Sequence, residues 1–143
     1  MMQQALGQAR LAMQAGEVPV GAVVVHQGKV IAAAHNETLK RNDPTAHAEM
    51  LVIRAACAAL KTTHLVDCDL IVTLEPCAMC AQAIAFSRIR KLIYAASDAK
   101  GGGVENGARI FNQPTCHHKP EIFSGIEAEA AGALLKEFFA KKR

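Results

Sequence analysis

The sequence predicts an α/β protein in three layers, with helices on both faces of a mixed sheet of about five strands. Three observations predict it. Two short apolar runs, "VGAVVV" and "VIAAA", are joined by "HQGK", the pattern of a hairpin. A third run, "DLIVTL", passes through a proline into "CAMCAQAIAF" and then "KLIYA". That strand–helix–strand order implies a parallel pair with a right-handed crossover. Helical spacing marks both ends of the chain.

In order along the chain, Leu6, Ala9 and Met13 recur at helical spacing, and Gly16 stops this first helix. The hairpin follows. From Ala46 to Leu60, the residues Met50, Ile53, Cys57 and Leu60 fall at intervals of three, four and three, which predicts an amphipathic helix. Asp43 or Thr45 is expected to cap its free amides, and Pro44 suits the approach. "DLIVTL" is too apolar for an exposed strand. "GGG" at 101–103 opens the one long irregular segment, which reaches Pro120. A short strand near Ile122 and a helix from Ile126 to Ala140 close the fold. No repeat, low-complexity tract or linker interrupts it, so one domain over 1–143 is expected.

Composition narrows the class. Half the residues are hydrophobic (51%), many of them alanine, with no tryptophan and one tyrosine, which suits closely packed helices on a sheet. A net charge of +3 is too mild to indicate a nucleic-acid binder by itself. Polar residues interrupt "MMQQALGQAR", so no secretory signal is expected, and no apolar run is long enough to span a bilayer. Five cysteines, an odd number, argue against a disulfide framework. The expectation is a cytoplasmic protein without a membrane partner, whose cysteines serve packing, metal or catalysis.

Two stretches carry the chemistry. "DPTAHAEM" sets His47 and Glu49 two residues apart where a helix begins, and "EPCAMC" sets Cys77 and Cys80 after a second proline. A C-x-x-C alone also fits a redox pair or a structural zinc, the latter needing a fourth ligand such as His117 or His118. As three ligands, His47, Cys77 and Cys80 would leave the fourth zinc position open for a catalytic water, with Glu49 free to move protons. H-x-E followed by P-C-x-x-C is the pattern of zinc-dependent nucleobase deaminases. Helix amino termini favour anions, so two thiolates and a carboxylate suit these positions. Cys57 and Cys116 fit as small packing residues, Cys68 as a strand-end residue without a role, and Met79 as packing behind the site. His26, His35 and His64 fit surface or turn positions.

"PVGAVVV", "NDPTAHAEM", "TLEPCAMC", "SRI" and "DAKGGG" together resemble the bacterial tRNA adenosine deaminases, within the cytidine-deaminase-like superfamily. The resemblance runs from the first helix to "LLKEFF". It implies the cytidine-deaminase-like fold, one zinc per subunit, a homodimer, and conversion of the wobble adenosine of a tRNA anticodon stem-loop to inosine with release of ammonia. Glu49 is then the catalytic residue, and His47, Cys77 and Cys80 the metal ligands. It further implies substrate binding by Asn36 and Ala48, and RNA contacts by Asp98 and Lys100. Bacterial guanine deaminases share similar wording around "NDPTAHAE", so deamination of free guanine, or of cytosine or its nucleoside, is the alternative. "EVPVGAV" resembles the tRNA branch, where the guanine branch tends to a Gly-Pro-Phe-Gly form. The segment "VENGARIFNQPTCHHKPEIFSGI" departs from the best-known members. Arg88, Arg90 and Lys91, with the terminal Lys141, Lys142 and Arg143, are candidate phosphate contacts, although cations also suit a helix carboxyl end. Phe138 and Phe139 are expected to be one core and one interface residue. Ala81, Ile84 and Ala85 form an apolar face that packs either internally or across subunits.

Overall fold

A computed structural model describes residues 1–142. In chain order it contains α1 (Met2–Gln14), β1 (Gly21–His26), β2 (Lys29–His35), α2 (Ala48–Leu60), β3 (Cys68–Leu74), α3 (Ala78–Ser87), β4 (Lys91–Ala96), β5 (Glu121–Ser124) and α4 (Ala128–Lys141). The strands form one sheet in the order β2-β1-β3-β4-β5. β1 runs antiparallel to both β2 and β3, whereas β3, β4 and β5 run parallel. The mixed sheet and the hairpin are as the sequence predicts. Gln27 and Gly28 both take positive φ at the hairpin tip, which matches the twist of the two strands.

The direction of the strands decides where chemistry can assemble. β2, β3 and β4 all end at the same edge of the sheet, the edge where β1 begins. Asn36 follows β2 there, Cys77 follows β3, and Asp98 follows β4. Residues just beyond strand carboxyl ends are where open α/β sheets form their ligand sites.

Alternation along the central strands feeds two cores. Ala22, Val24, Leu70, Val72, Leu92 and Tyr94 pack beneath α2 and α3. Val23, Val25, Ile71 and Ala95 pack against α1 and α4. Both faces of the sheet are therefore covered, and the α/β/α layering follows.

The sequence placed two helix faces imperfectly. α2 buries Ala48, Glu49, Val52, Ile53 and Ala56, while Met50, Cys57 and Leu60 are only half-buried. The small alanines let the helix approach the sheet closely, so the bulky residues are displaced to the margins. α1 buries Met2, Ala5, Leu6, Ala9 and Ala12, and Met13 is only half-buried for the same reason. On α3, Ala81, Ile84 and Ala85 are buried within the chain itself, which settles that face as internal packing. Phe138 belongs to the core and Phe139 is half exposed.

The α1–β1 contact is close enough to test. A Cβ on Gly21 would lie 2.5 Å from the Ala9 amide nitrogen and 2.7 Å from Gln8 Cβ, and would also strike the Ala5 carbonyl. Neither backbone can yield without opening the layer. Gly21→Ala is expected to cost about 3 kcal/mol, a fall in Tm of roughly 8 °C. Thermal denaturation checks this, and an unchanged Tm would show that the layer is softer than its geometry.

Candidate active site

Asn36, not Asp43 or Thr45, caps α2. Asp43 Oδ1 accepts hydrogen bonds from Thr45 N at 2.8 Å and Thr45 Oγ1 at 2.7 Å, and so closes a turn ahead of the helix. The first helical amide, that of Ala48, donates instead to Asn36 Oδ1 at 2.8 Å. An Asx turn satisfies Asp43 locally, leaving the cap to a residue brought in by β2. Asn36 itself is 9% exposed and held by its own amide to the Val20 carbonyl. Asn36 also lines the neighbouring cavity, and with its oxygen committed the Nδ2 group is its remaining donor.

The two helices begin side by side. His47 is the N-cap of α2 and Cys77 the N-cap of α3, both in extended conformation, with Cys80 in the first turn of α3. His47 Nδ1 lies 3.7 Å from Cys77 Sγ and 3.6 Å from Cys80 Sγ. All three donor atoms fall within 4.8 Å of one another. Tetrahedral zinc, with bonds of about 2.0–2.3 Å to nitrogen and sulfur, sets its ligands roughly 3.5–3.8 Å apart. The donor set fits that ion in both element type and spacing.

Electrostatics around the donors are strongly perturbed. Glu49 is 4% exposed, and burial pushes its carboxyl up to about 7, with the Cys77 charge adding and the His47 charge opposing. Cys77 is brought down to about 4, chiefly by its hydrogen bond with Cys80 and then by His47, against the effect of burial. Cys80 moves upward, because that hydrogen bond and burial both hold its proton. His47 is raised by its hydrogen bond to Cys77. Without metal, these four groups share protons.

Beside them lies a cavity of about 300 Å³, at the small end of ligand sites. Val18, Val20 and Leu74 give it apolar walls, and Asn36, Thr38, Glu49, Glu75 and Asp98 line it with polar groups. Asp98 Oδ1 accepts from the Lys100 and Gly101 amides at 3.1 and 2.9 Å, which shapes the turn at the rim. Ala48 is fully buried with its amide taken by Asn36, and it is not among the residues lining the cavity. Lys100 lies in an adjoining groove of about 880 Å³ along α4, with Lys136, Lys142 and Phe139.

Other candidates fall elsewhere. Arg88, Arg90 and Lys91 sit at the start of β4, the sheet edge opposite the cavity. Arg90 forks onto Asp69 at 3.0 and 3.1 Å, Arg88 donates to the His117 carbonyl, and Lys91 lies over the Phe123 ring. They are occupied and on the wrong edge to serve a substrate at this cavity. Lys141 pairs with Glu137 at 3.4 Å, and Arg143 lies outside the described residues. His118 Nε2 is bound to the Ile89 carbonyl at 2.6 Å, and among the described residues neither His117 nor His118 joins the cysteines. A four-ligand structural site is therefore not assembled. Sequence reasoning missed Glu75 and Lys136. The signal for Glu75 was an acid ending an apolar strand; for Lys136 there was none, since its neighbour Lys100 is distant in sequence.

Comparisons with known proteins identify the family. The family model described as MafB19-like deaminase matches residues 1–143. A tRNA-specific adenosine deaminase of Agrobacterium fabrum is 54% identical over 142 residues, 99% of this chain and 93% of that protein. One from Bacillus subtilis is 43% identical over 99% of this chain and 88% of its own length. A solved structure from work on A-to-I editing by tRNA:A34 deaminases superposes with a TM-score of 0.92 at 54% identity, covering 94% of this chain and 97% of that one. A guanine deaminase from Nitrosomonas europaea superposes with a TM-score of 0.85 at 28% identity, covering 97% and 82%. Likeness of this extent shows the family: the chain belongs to the bacterial tRNA-specific adenosine deaminases, within the cytidine-deaminase-like superfamily.

Proposed function

We propose that this chain is one deaminase domain, working as a cytoplasmic homodimer, that converts the wobble adenosine of a tRNA anticodon to inosine. The observation that carries the chemistry is Glu49, a buried carboxyl beside the His47, Cys77 and Cys80 donors at one cavity. Those three residues would hold one zinc per subunit, which would supply Lewis-acid chemistry able to acidify a water.

The remaining steps belong to the protein. Glu49 takes a proton from the water and delivers it to N1 of the adenine ring, making C6 electrophilic. The water's oxygen bonds to C6. Glu49 then carries the second proton to the exocyclic amine, the C6–N bond breaks, and ammonia leaves. Adenosine and water thus give inosine and ammonia, with no redox partner. Asn36 donates to the base from Nδ2, held in place because Oδ1 caps α2. Val18, Val20 and Leu74 bracket the flat ring. Extrusion of a base costs a few kcal/mol and is easiest in a loop, as an anticodon provides.

RNA is favoured over a free base by the groove next to the cavity, where Lys100 and Lys136 offer cations that suit phosphates. Phe86 on α3 is 71% exposed beside Ile53 and Cys57, an apolar surface that suits a second copy. No helix among the described residues is long and apolar enough to cross a membrane.

The test is ammonia release by zinc-loaded protein from an adenosine-bearing anticodon hairpin, beside free guanine and cytidine. Release from the hairpin alone is expected. Release from guanine alone would keep the chemistry and overturn the RNA substrate.

A further inference from the structure

We infer that Glu75 is a positioning residue that fixes the substrate-facing rim of the cavity to the turn carrying the metal ligands. This rests on the deaminase reading above. Glu75 follows β3 directly, two residues before Cys77, and is 2% exposed. It lines the cavity beside His47 and Cys77, and its carboxylate oxygens are taken up by the loop after β4.

Six donors converge on its two oxygens. Oε1 accepts from Asp98 N at 2.9 Å, Asn106 Nδ2 at 2.7 Å and Ser97 Oγ at 3.3 Å. Oε2 accepts from three successive amides, those of Val104, Glu105 and Asn106, at 3.1, 2.9 and 3.0 Å. Consecutive backbone N–H groups aimed at one point form an anion nest, and here the anion is built into the chain. The first group of donors sits at Asp98, on the cavity wall, and the second lies beyond the triple glycine.

The loop is pressed onto the ligand turn as well. Gly103 N donates to the Pro76 carbonyl at 2.8 Å, and a Cβ on Gly103 would meet Ala78 N at 2.5 Å. A Cβ on Gly102 would meet Glu75 Oε2 at 2.5 Å. The Tyr94 hydroxyl donates to Glu105 from within the core. Among the described residues, Glu75 is thus the one charged group that joins the Cys77 turn, Asp98 and the 104–106 segment. Substrate seating depends on it, and proton transfer by Glu49 does not.

Glu75→Gln keeps the shape but turns an NH₂ group toward donors on one side of the nest. Metal content is expected to stay at the wild-type level. Amide exchange at Asp98, Val104, Glu105 and Asn106 should accelerate at least about tenfold, by local opening. KM for the substrate the wild type turns over should rise about tenfold, with kcat within about twofold. Gly102→Ala, which pushes on the same carboxylate from the loop side, should give the same split. Unchanged exchange in both variants, or lost kcat at constant KM, would overturn the inference. Exchange needs no substrate, so a wild-type protein inactive on the hairpin would defeat the proposed function without deciding this point.

Discussion

Glu49→Gln is expected to bind metal as the wild type does and to lose turnover by roughly 10⁴-fold, the upper range for a general acid–base group. The substitution is nearly isosteric at a position that is 4% exposed, so packing of α2 against the sheet is retained. The carboxamide cannot accept the water's proton, and nothing else in the cavity can replace it. Asp98 is committed to the Lys100 and Gly101 amides, and Glu75 to the loop. Metal analysis beside an ammonia assay makes the test. Turnover within tenfold of wild type would remove Glu49 from the mechanism.

The same variant carries a stability signature. In the metal-free protein burial raises the Glu49 carboxyl from 4.5 to about 7. Between these values the folded state holds a proton that the unfolded state has released, so stability falls as pH rises through this window. Glutamine has no such proton to lose. Metal-free Glu49→Gln should therefore exceed metal-free wild type in Tm above pH 7, with a smaller gain near pH 5. A more stable but idle variant is the trade expected of a residue kept for chemistry.

How much of this was legible in the sequence divides by the range of the interactions. The hairpin, the β3–α3–β4 unit and the four residues proposed to hold a metal and move protons were all visible, because each depends on local pattern or on spacing within a motif. His47 and Cys77 are 30 residues apart, but each announces itself beside a proline at a helix start. Asn36 capping α2 across 12 residues was not visible, since Asp43 and Thr45 offered the same side-chain chemistry nearer by. Glu75 reaches Asn106 across 31 residues, and its donors are mostly backbone amides with no residue-type signature. Charge was least legible of all. Arg88, Arg90 and Lys91 look like a basic cluster in the chain, yet the parallel sheet carries them to the edge away from the cavity. Lys100, Lys136 and Lys142 are scattered in the chain and meet beside α4.

Cys80→Ala should be as damaging as Glu49→Gln, by a different route. Cys80 is fully buried in the first turn of α3, at 3.6 Å from His47 Nδ1. Its loss leaves two donors of a three-donor set, and alanine makes no demand on the space. Outer-shell substitutions already cost about 10–100-fold in metal affinity, so a lost ligand should cost more than about 100-fold. The variant should emerge without metal after dialysis and release no ammonia. Because a metal that binds only the folded state adds to stability, chelation should lower the Tm of the wild type and leave that of Cys80→Ala unmoved. Cys77→Ala should behave alike, since it too removes one of the three clustered donors. Cys68→Ala supplies the contrast: Cys68 is equally buried, but it lies at the far end of β3 and should keep both metal and chelator response. Stoichiometric metal in both ligand variants would refute the assignment of the site. Loss in Cys68→Ala as well would mean that core disruption, not ligand removal, releases the ion.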